Sequence, residues 1–341
     1  MCNLSKKYLF FVGIDNSKKK FDAGVLDDNG KKLGHKKFIN GNDSFLDFLE
    51  WVCELTSGSS EVLFIMEHTG IYSRLLWFFL QDQDCCLWVE SGFVINRASG
   101  IKKTKNDKVD SFSIAEYGLS KRYKVKLTPK YDENLTLLHD LLSNRKRVSD
   151  QLKAIETPLK EIKMYGNAKS NKILHDLNKL AITGLKATLK EIENAIDNLI
   201  KENETWVENV NLATSVKGIG KLVVCWMLVY TRNFSEDMTA RKFAALAGIA
   251  PFEHTSGTSI NKGTHNSHFS HKFLKGLLHL SVMSAIQHNP NIKIYYKRKK
   301  EEGKKGFVAM NNVKNKLVQL VFAVVRSKQK YDVNFKHKLV A

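Results

Sequence analysis

Residues 8–15, Tyr-Leu-Phe-Phe-Val-Gly-Ile-Asp, decide how the N-terminal part of this chain is read. A short uncharged run that ends on Asp15 suits a strand buried on both faces. The flanking sequence extends the pattern. Phe21–Leu26 is a second strand, Asp27-Asp28-Asn29-Gly30 a turn, and Lys32–Ile39 a third strand. Tight turns between three neighbouring strands predict an antiparallel meander. Asn42 or Asp43 is placed to cap a helix carrying Phe45, Leu46, Leu49, Trp51 and Val52. Glu61–Met66 reads as another buried strand, Ile71–Leu80 as a helix with a wide apolar face, and Cys86–Val89 as a short strand.

Three strands, a helix, then strand–helix–strand is the element order of a ribonuclease-H-like sheet. Beyond residue 131 the period changes. Leu135, Leu138, Leu142, Leu152, Ile155, Leu159 and Ile162 recur at helical spacing, and after Tyr165-Gly166-Asn167 the pattern resumes from Ile173 to Leu199. Two long amphipathic helices joined by a turn are expected, either as a coiled-coil hairpin serving as a dimerisation arm or as helices packed on their own domain. A third, mainly helical block follows. It has an apolar helix after Lys217-Gly218-Ile219-Gly220-Lys221, a helix over Phe243–Gly248, and a polar loop from His254 to Ser270. Helices over Lys272–Gln287 and Val308–Arg326 flank a basic stretch, Lys297–Lys305. The expected fold class is therefore α/β plus all-α, divided at residues 1–125, 126–210 and 211–341.

The 341 residues carry 54 Lys+Arg against 35 Asp+Glu, a net charge of +19. Such a chain attracts polyanions, so nucleic acid is the leading partner. An anionic membrane surface fits less well, because the charge is not gathered beside one apolar helix. The longest apolar run, Leu222–Tyr230, is half the length of a membrane span. The opening MCNLSKKYLFFVGID imitates a signal peptide, but its apolar stretch is short and meets Asp15. Five cysteines without a CxxC argue against a disulfide framework or zinc ribbon, and a cytoplasmic protein with free thiols is expected.

Four acidic residues stand out. Asp15 ends the first strand and Glu67 follows the strand Glu61–Met66. A carboxylate just beyond a buried strand emerges at the sheet edge without being desolvated. Asp107 and Asp110, three residues apart at the opening of a helix, share one helix face. Taken singly, Asp107 reads equally as a helix N-cap, Asp110 as a first-turn dipole partner and Asp15 as a turn residue. Taken together, they would repel one another without a cation, and Mg²⁺ ions would satisfy them and clamp phosphodiester oxygens.

Lys102, Lys103, Lys105 and Lys108 flank Asp107 and suit a phosphate substrate, or a solvated loop. Ser256 precedes Gly257, which gives an accessible hydroxyl on a permissive backbone; most such serines are turn residues. His254 is a base or a hydrogen-bonded loop residue. Gly218-Ile219-Gly220 before a helix is either a backbone-phosphate cradle or a tight turn. His265, His268 and His271 lack an evident fourth metal ligand. Lys297 and Arg298, with their basic neighbours, read as a nucleic-acid contact or a solvated turn.

These residues resemble a known family. Gly13-Ile14-Asp15, Glu67-His68-Thr69-Gly70-Ile71-Tyr72 and Asp107-Lys108-Val109-Asp110 are similar to the DEDD pattern of the insertion sequence 110 transposases, a group that takes in the pilin-gene invertases. Gly218-Ile219-Gly220, Phe243–Pro251 and Ser256-Gly257 are similar to that family's C-terminal domain. The resemblance runs from about residue 8 to about residue 326. It implies a RuvC-like, ribonuclease-H-fold domain whose Asp15, Glu67, Asp107 and Asp110 bind Mg²⁺. It implies that Ser256 takes DNA into a covalent phosphoserine link. It further implies a homo-oligomer, a dimer or tetramer, acting on donor and target DNA with a guide RNA encoded by the element. Asn106 and Ser111 depart from the family pattern, and neither contributes a metal ligand; Ser270-His271 and Lys275 also depart, which bears on the start of the next helix and on one phosphate contact. The reading that follows is a DNA recombinase. The alternatives are a metal-dependent nuclease or junction resolvase in which water attacks, and a non-catalytic nucleic-acid-binding protein.

Overall fold

The computed structural model describes residues 8–98, 106–256, 260–266 and 270–334, with residues 253–256 and 260–266 described by their backbone. The chain divides between Tyr131 and Asp132 into two compact units.

The first unit is a five-stranded sheet. Its strands are β1 (Phe10–Asn16), β2 (Lys20–Asp27), β3 (Lys32–Ile39), β4 (Val62–Glu67) and β5 (Leu87–Glu90), in the order β3-β2-β1-β4-β5. The first three strands are antiparallel, and β1–β4 and β4–β5 are parallel. The meander follows from its turn: the Asp27 carboxylate accepts the amides of Asn29 and Lys31, and Gly30 adopts φ +83°. Helices α1 (Phe45–Leu55), α2 (Ile71–Asp82), α3 (Gly92–Ala98) and α4 (Asp107–Ser120) cover the sheet. Phe45, Phe48 and Val52 of α1 with Leu76 and Leu80 of α2 form one core with Val12, Ile14, Phe21 and Val25. Ile95 of α3 with Phe112, Ile114, Ala115 and Tyr117 of α4 forms the other, with Phe11, Leu26, Leu63 and Ile65. Both faces of β1 and β4 are thus covered, which is why their sequences are unbroken apolar runs.

One local expectation is corrected. Asn42 and Asp43 do not cap α1; they lie in a 3₁₀ turn, and α1 starts after Ser44 without a side-chain cap. Phe45 and Phe48 are fully buried, so tertiary packing rather than capping fixes that start.

The second unit opens with α5 (Glu133–Tyr165) and α6 (Ala168–Lys201). They form a hairpin whose turn is set by Asn167, which caps α6 by accepting the Ser170 amide. Arg145–Glu193 and Lys186–Glu156 ion pairs cross between the two helices. Leu138, Leu142, Ile192, Ile196 and Leu199 near the open end belong to the unit's main core, whereas Met164, Tyr165, Leu177 and Leu180 toward the turn are exposed. Next comes α7 (Glu204–Thr214), a helix not foreseen in the sequence because its buried face (Trp206, Asn209, Val210, Ala213) includes an asparagine. It is followed by α8 (Lys221–Thr231) and α9 (Ala240–Leu246). The polar segment expected as a loop is instead an antiparallel hairpin, β6 (Pro251–Ser256) and β7 (Ile260–Asn266). Helices α10 (Lys272–His288), α11 (Pro290–Glu301) and α12 (Gly306–Ser327) complete the unit, so the basic stretch begins inside α11. Among the described residues no helix is long and apolar enough to cross a membrane. Cys53, Cys85 and Cys225 are free thiols, and Cys2 lies outside the described residues.

Candidate active site

Strand pairing places the acidic residues. Asp15 lies directly opposite Asp22, and Glu67 is in register with Glu90. Ile14 pairs with Met66, so Asp15 and Glu67 each stand one step beyond that pair. Side chains alternate along a strand. Gly13 faces α4, and so does Asp15 two residues on; Leu63 and Ile65 pack in the α4 core, which puts Glu67 on the same face. Asp22, Asp15, Glu67 and Glu90 therefore form a row across β2, β1, β4 and β5.

The first turn of α4 adds Asp107 and Asp110. Asn106 is the N-cap and its side chain accepts the Val109 amide, so Asp107 is not spent on capping. Glycine decides how closely α4 approaches. A Cβ on Gly13 would stand 2.1 Å from the Ser111 carbonyl oxygen and 2.3 Å from the Ala115 nitrogen. Glycine at that position lets the helix backbone rest on the strand. Glu67 is seated in the same way: a Cβ on Gly92, at the start of α3, would meet its Oε1 at 1.8 Å.

The electrostatics single out Asp15. Burial first, then the charges of Asp110, Asp107, Glu67 and Asp22, push its carboxyl up to about 6. The two outer members of the row are satisfied by the protein. Asp22 is buried and bonded to His35 Nε2 at 2.9 Å. Glu90 accepts the Tyr117 hydroxyl at 3.3 Å and the Ser91 amide at 2.9 Å. Asp107 is held by Lys20, whose Nζ lies 2.5 Å from Oδ2, and that contact draws its carboxyl below the ordinary range.

Among the described residues, no three carboxylate, histidine or cysteine groups stand close enough to hold a metal ion as they are. The four expected ligands reach one sheet edge without closing into a cage, because Asp107 turns to the Lys20 ammonium. The donor set nevertheless fits a hard divalent cation. It is all carboxylate, it is over-repelled at Asp15, and its exposed member is held only by a half-exposed lysine.

Lys102, Lys103 and Lys105 lie outside the described residues; Lys108 is exposed on the first turn of α4. Ser256 is the last residue of β6, its backbone paired with Ile260 beside the hairpin turn, and His254 and His265 lie on the two strands of that hairpin. His268 is outside the described residues. His271 is not a ligand: Nδ1 caps α10 by accepting the Leu274 amide, and Nε2 meets the Tyr230 hydroxyl at 2.6 Å. The departure at His271 therefore leaves the helix start intact. Gly218, at φ +104°, packs against Ala285 of α10, while Gly220 is exposed at the start of α8, which no side chain caps. Lys297 is exposed on α11, and Arg298 pairs with Glu302 at 3.8 Å and lies over the Tyr295 ring.

Sequence reasoning missed Lys20, Asp22, His35 and Glu90. Alternation along β2 placed Asp22 on one face, but only pairing shows that face to be the one bearing Asp15.

Two family models match the chain: a DEDD model described as "Transposase" over residues 12–162, and "Transposase IS116/IS110/IS902 family" over residues 210–297. The chain belongs to the IS110 family of transposases. Two relatives match along nearly their whole length and a third over part of it. A pilin gene-inverting protein of Moraxella lacunata is 25% identical over 333 residues, covering 96% of this chain and 98% of that protein. The 44.8 kDa protein of insertion element IS116 from Streptomyces clavuligerus is 23% identical over 94% of this chain and 95% of its own length. The 43.6 kDa protein of insertion element IS110 from Streptomyces coelicolor is 29% identical over 119 residues, 35% of this chain and 29% of that protein. This IS110-family protein is a DNA transposase/recombinase enzyme. The DEDD match spans Asp15, Glu67, Asp107 and Asp110, and the second spans Ser256.

Proposed function

We propose that this transposase cuts and rejoins DNA strands through a divalent-metal site at Asp15, Glu67, Asp107 and Asp110 and a covalent serine–DNA intermediate at Ser256. The convergence of four carboxylates from β1, β4 and α4 on one sheet edge, with the Asp15 carboxyl pushed up to about 6, carries the reading. Mg²⁺ bound there would polarise phosphoryl oxygens as a Lewis acid. In the reaction, Ser256 Oγ bonds to phosphorus, the bridging P–O bond breaks, and the departing deoxyribose oxygen takes the proton. Reversal on a new strand restores the phosphodiester and frees the serine. Bond energy is conserved, so no ATP is required.

The first unit is assigned a RuvC-like, ribonuclease-H fold, supported by its strand order and by the carboxylates at the ends of β1 and β4. Residues 1–125 are taken as the catalytic domain, 126–210 as a coiled-coil hairpin and 211–341 as the serine domain. The exposed Met164, Tyr165, Leu177 and Leu180 support the hairpin as the contact that makes a dimer or tetramer. A guide RNA alongside donor and target DNA accords with the +19 charge. The enzyme is assigned to the cytoplasm, where its DNA substrate would lie.

Trapping tests the reading. The wild-type protein, denatured during reaction with labelled DNA and Mg²⁺, is expected to carry a covalent adduct, and Ser256→Ala to lose it while keeping Mg²⁺ binding. An adduct that persists in Ser256→Ala refutes the serine role. Released ends without any adduct in the wild type would mean that water is the nucleophile, as in a junction resolvase.

A further inference from the structure

The hairpin of β2 and β3 carries exposed lysines beside the carboxylate site, one of which, Lys37, is near enough for its charge to help draw the Asp107 carboxyl down. On the face of the sheet that bears Asp15, register places Lys37 opposite Asp22, His35 opposite Gly24 and Lys32 opposite Leu26. Lys32 Nζ stands 4.6 Å from the Phe112 ring of α4, and the His35 ring 6.1 Å from it, so these side chains border α4. Lys20 continues the line at its carboxylate end, in contact with Asp107. At the far end, after α4, Arg122 reaches the Asp28 carbonyl at 2.9 Å.

The negative groups of this hairpin are engaged within it. Asp22 is buried on His35, Asp27 accepts two turn amides, and Asp28 accepts the Asn29 side chain. Lys20 pairs with Asp107. Lys32 and Lys37 make no ion pair among the described residues, and both are exposed. β3 is the edge strand of the sheet, so nothing within the sheet covers this line. An extra residue between Gly34 and Lys32 adds no length, so Lys37 and Lys32 stand as far apart as their partners Asp22 and Leu26, four steps or about 13 Å of strand. That matches about four phosphate steps of a DNA strand at roughly 3.4 Å each.

We propose that Lys37, Lys32 and Arg122, running between the β3 edge and α4 away from Lys20, form a track for the phosphodiester backbone of the DNA strand that enters the carboxylate site. The assignment rests on the carboxylate edge being the reaction centre, and it adds the direction from which the strand arrives. Lysines spaced in this way act as point charges on successive phosphates and carry no sequence preference. Lys36 is an internal comparator. It lies on the opposite face of the same strand, over the Phe38 ring.

The test uses the full chain in EDTA and a fluorescein-labelled 30-base-pair duplex, with anisotropy titrations at several KCl concentrations. Lys32→Ala/Lys37→Ala is expected to lower the slope of log affinity against log salt by about 1.8, at roughly 0.9 for each phosphate no longer neutralised. Lys36→Ala is expected to keep the wild-type slope, and Lys32→Arg/Lys37→Arg to retain it as well. Lys32→Gln/Lys37→Gln, with an unfolding midpoint matched to wild type, repeats the measurement should the alanine variant fold poorly. A wild-type slope in Lys32→Ala/Lys37→Ala and Lys32→Gln/Lys37→Gln, or an equal fall in Lys36→Ala, overturns the track. A loss confined to a labelled RNA hairpin of equal charge, with DNA unaffected, overturns the choice of DNA. Binding in EDTA is independent of strand cleavage, so failure of the serine–metal chemistry shows in the adduct assay and failure of the track shows here.

Discussion

Gly13→Ala isolates the contact that seats α4 on the sheet. The added Cβ would lie 2.1 Å from the Ser111 carbonyl oxygen and 2.3 Å from the Ala115 nitrogen, both backbone atoms. An ordinary contact needs about 3.5 Å, so helix and strand must part by about 1.4 Å. No rotamer change relieves a clash with backbone. Overpacking of this kind costs about 1–3 kcal/mol. The same displacement carries Asp107 and Asp110 away from Asp15, because they occupy the first turn of the displaced helix. Misplacing a reacting group by about 1 Å costs on the order of a hundredfold in rate. Urea denaturation and a metal-dependent strand-cleavage assay on the same preparations separate the two effects. Gly24→Ala is the comparator: its Cβ would meet Phe112 Cδ1 at 2.9 Å and Ser111 Oγ at 3.1 Å, side-chain atoms that can shift. It is expected to cost less in both assays. Gly13→Ala with wild-type stability and cleavage, or Gly24→Ala as damaging as Gly13→Ala, would refute the claim that backbone contact at Gly13 positions the α4 carboxylates.

Two further outcomes follow from the same edge. Asp15 binds its proton more tightly folded than unfolded, so its contribution to stability is fully present below the ordinary aspartate value near 4 and is lost as pH rises through about 6. In metal-free buffer at pH 7.5, Asp15→Asn is therefore expected to be more stable than wild type by about 1–2 kcal/mol, discounted because the group is partly solvated. Chemical denaturation should show that gain shrinking toward pH 4; a gain independent of pH would contradict the cause given. Asn106→Ala removes the cap of α4 and is expected to cost about 1 kcal/mol in urea denaturation, with Asn106→Ser recovering most of it. An unchanged midpoint would mean the cap bond contributes nothing to α4.

The strands and helices that build the site were legible because each is a local pattern: β3 runs over Lys32–Ile39 as read, and Asp15 and Glu67 fall at strand ends as read. The β6–β7 hairpin was not legible, because Ser, Thr, Gly, Asn and His supply no apolar alternation. The transposase family was legible too, since its motifs are short and lie in a fixed order. By itself the sequence determined that carboxylates would emerge where buried strands end, and that a strongly basic chain would seek polyanions. Only the tertiary structure decided that Asp22 and Glu90 join the row, that His35 and Tyr117 bind its outer members, and that Lys20 holds Asp107. The reason is physical. Strand register and the approach of α4 are set by side chains far apart in the chain, through the burial of both sheet faces and the room left at Gly13, and no local stretch contains that information.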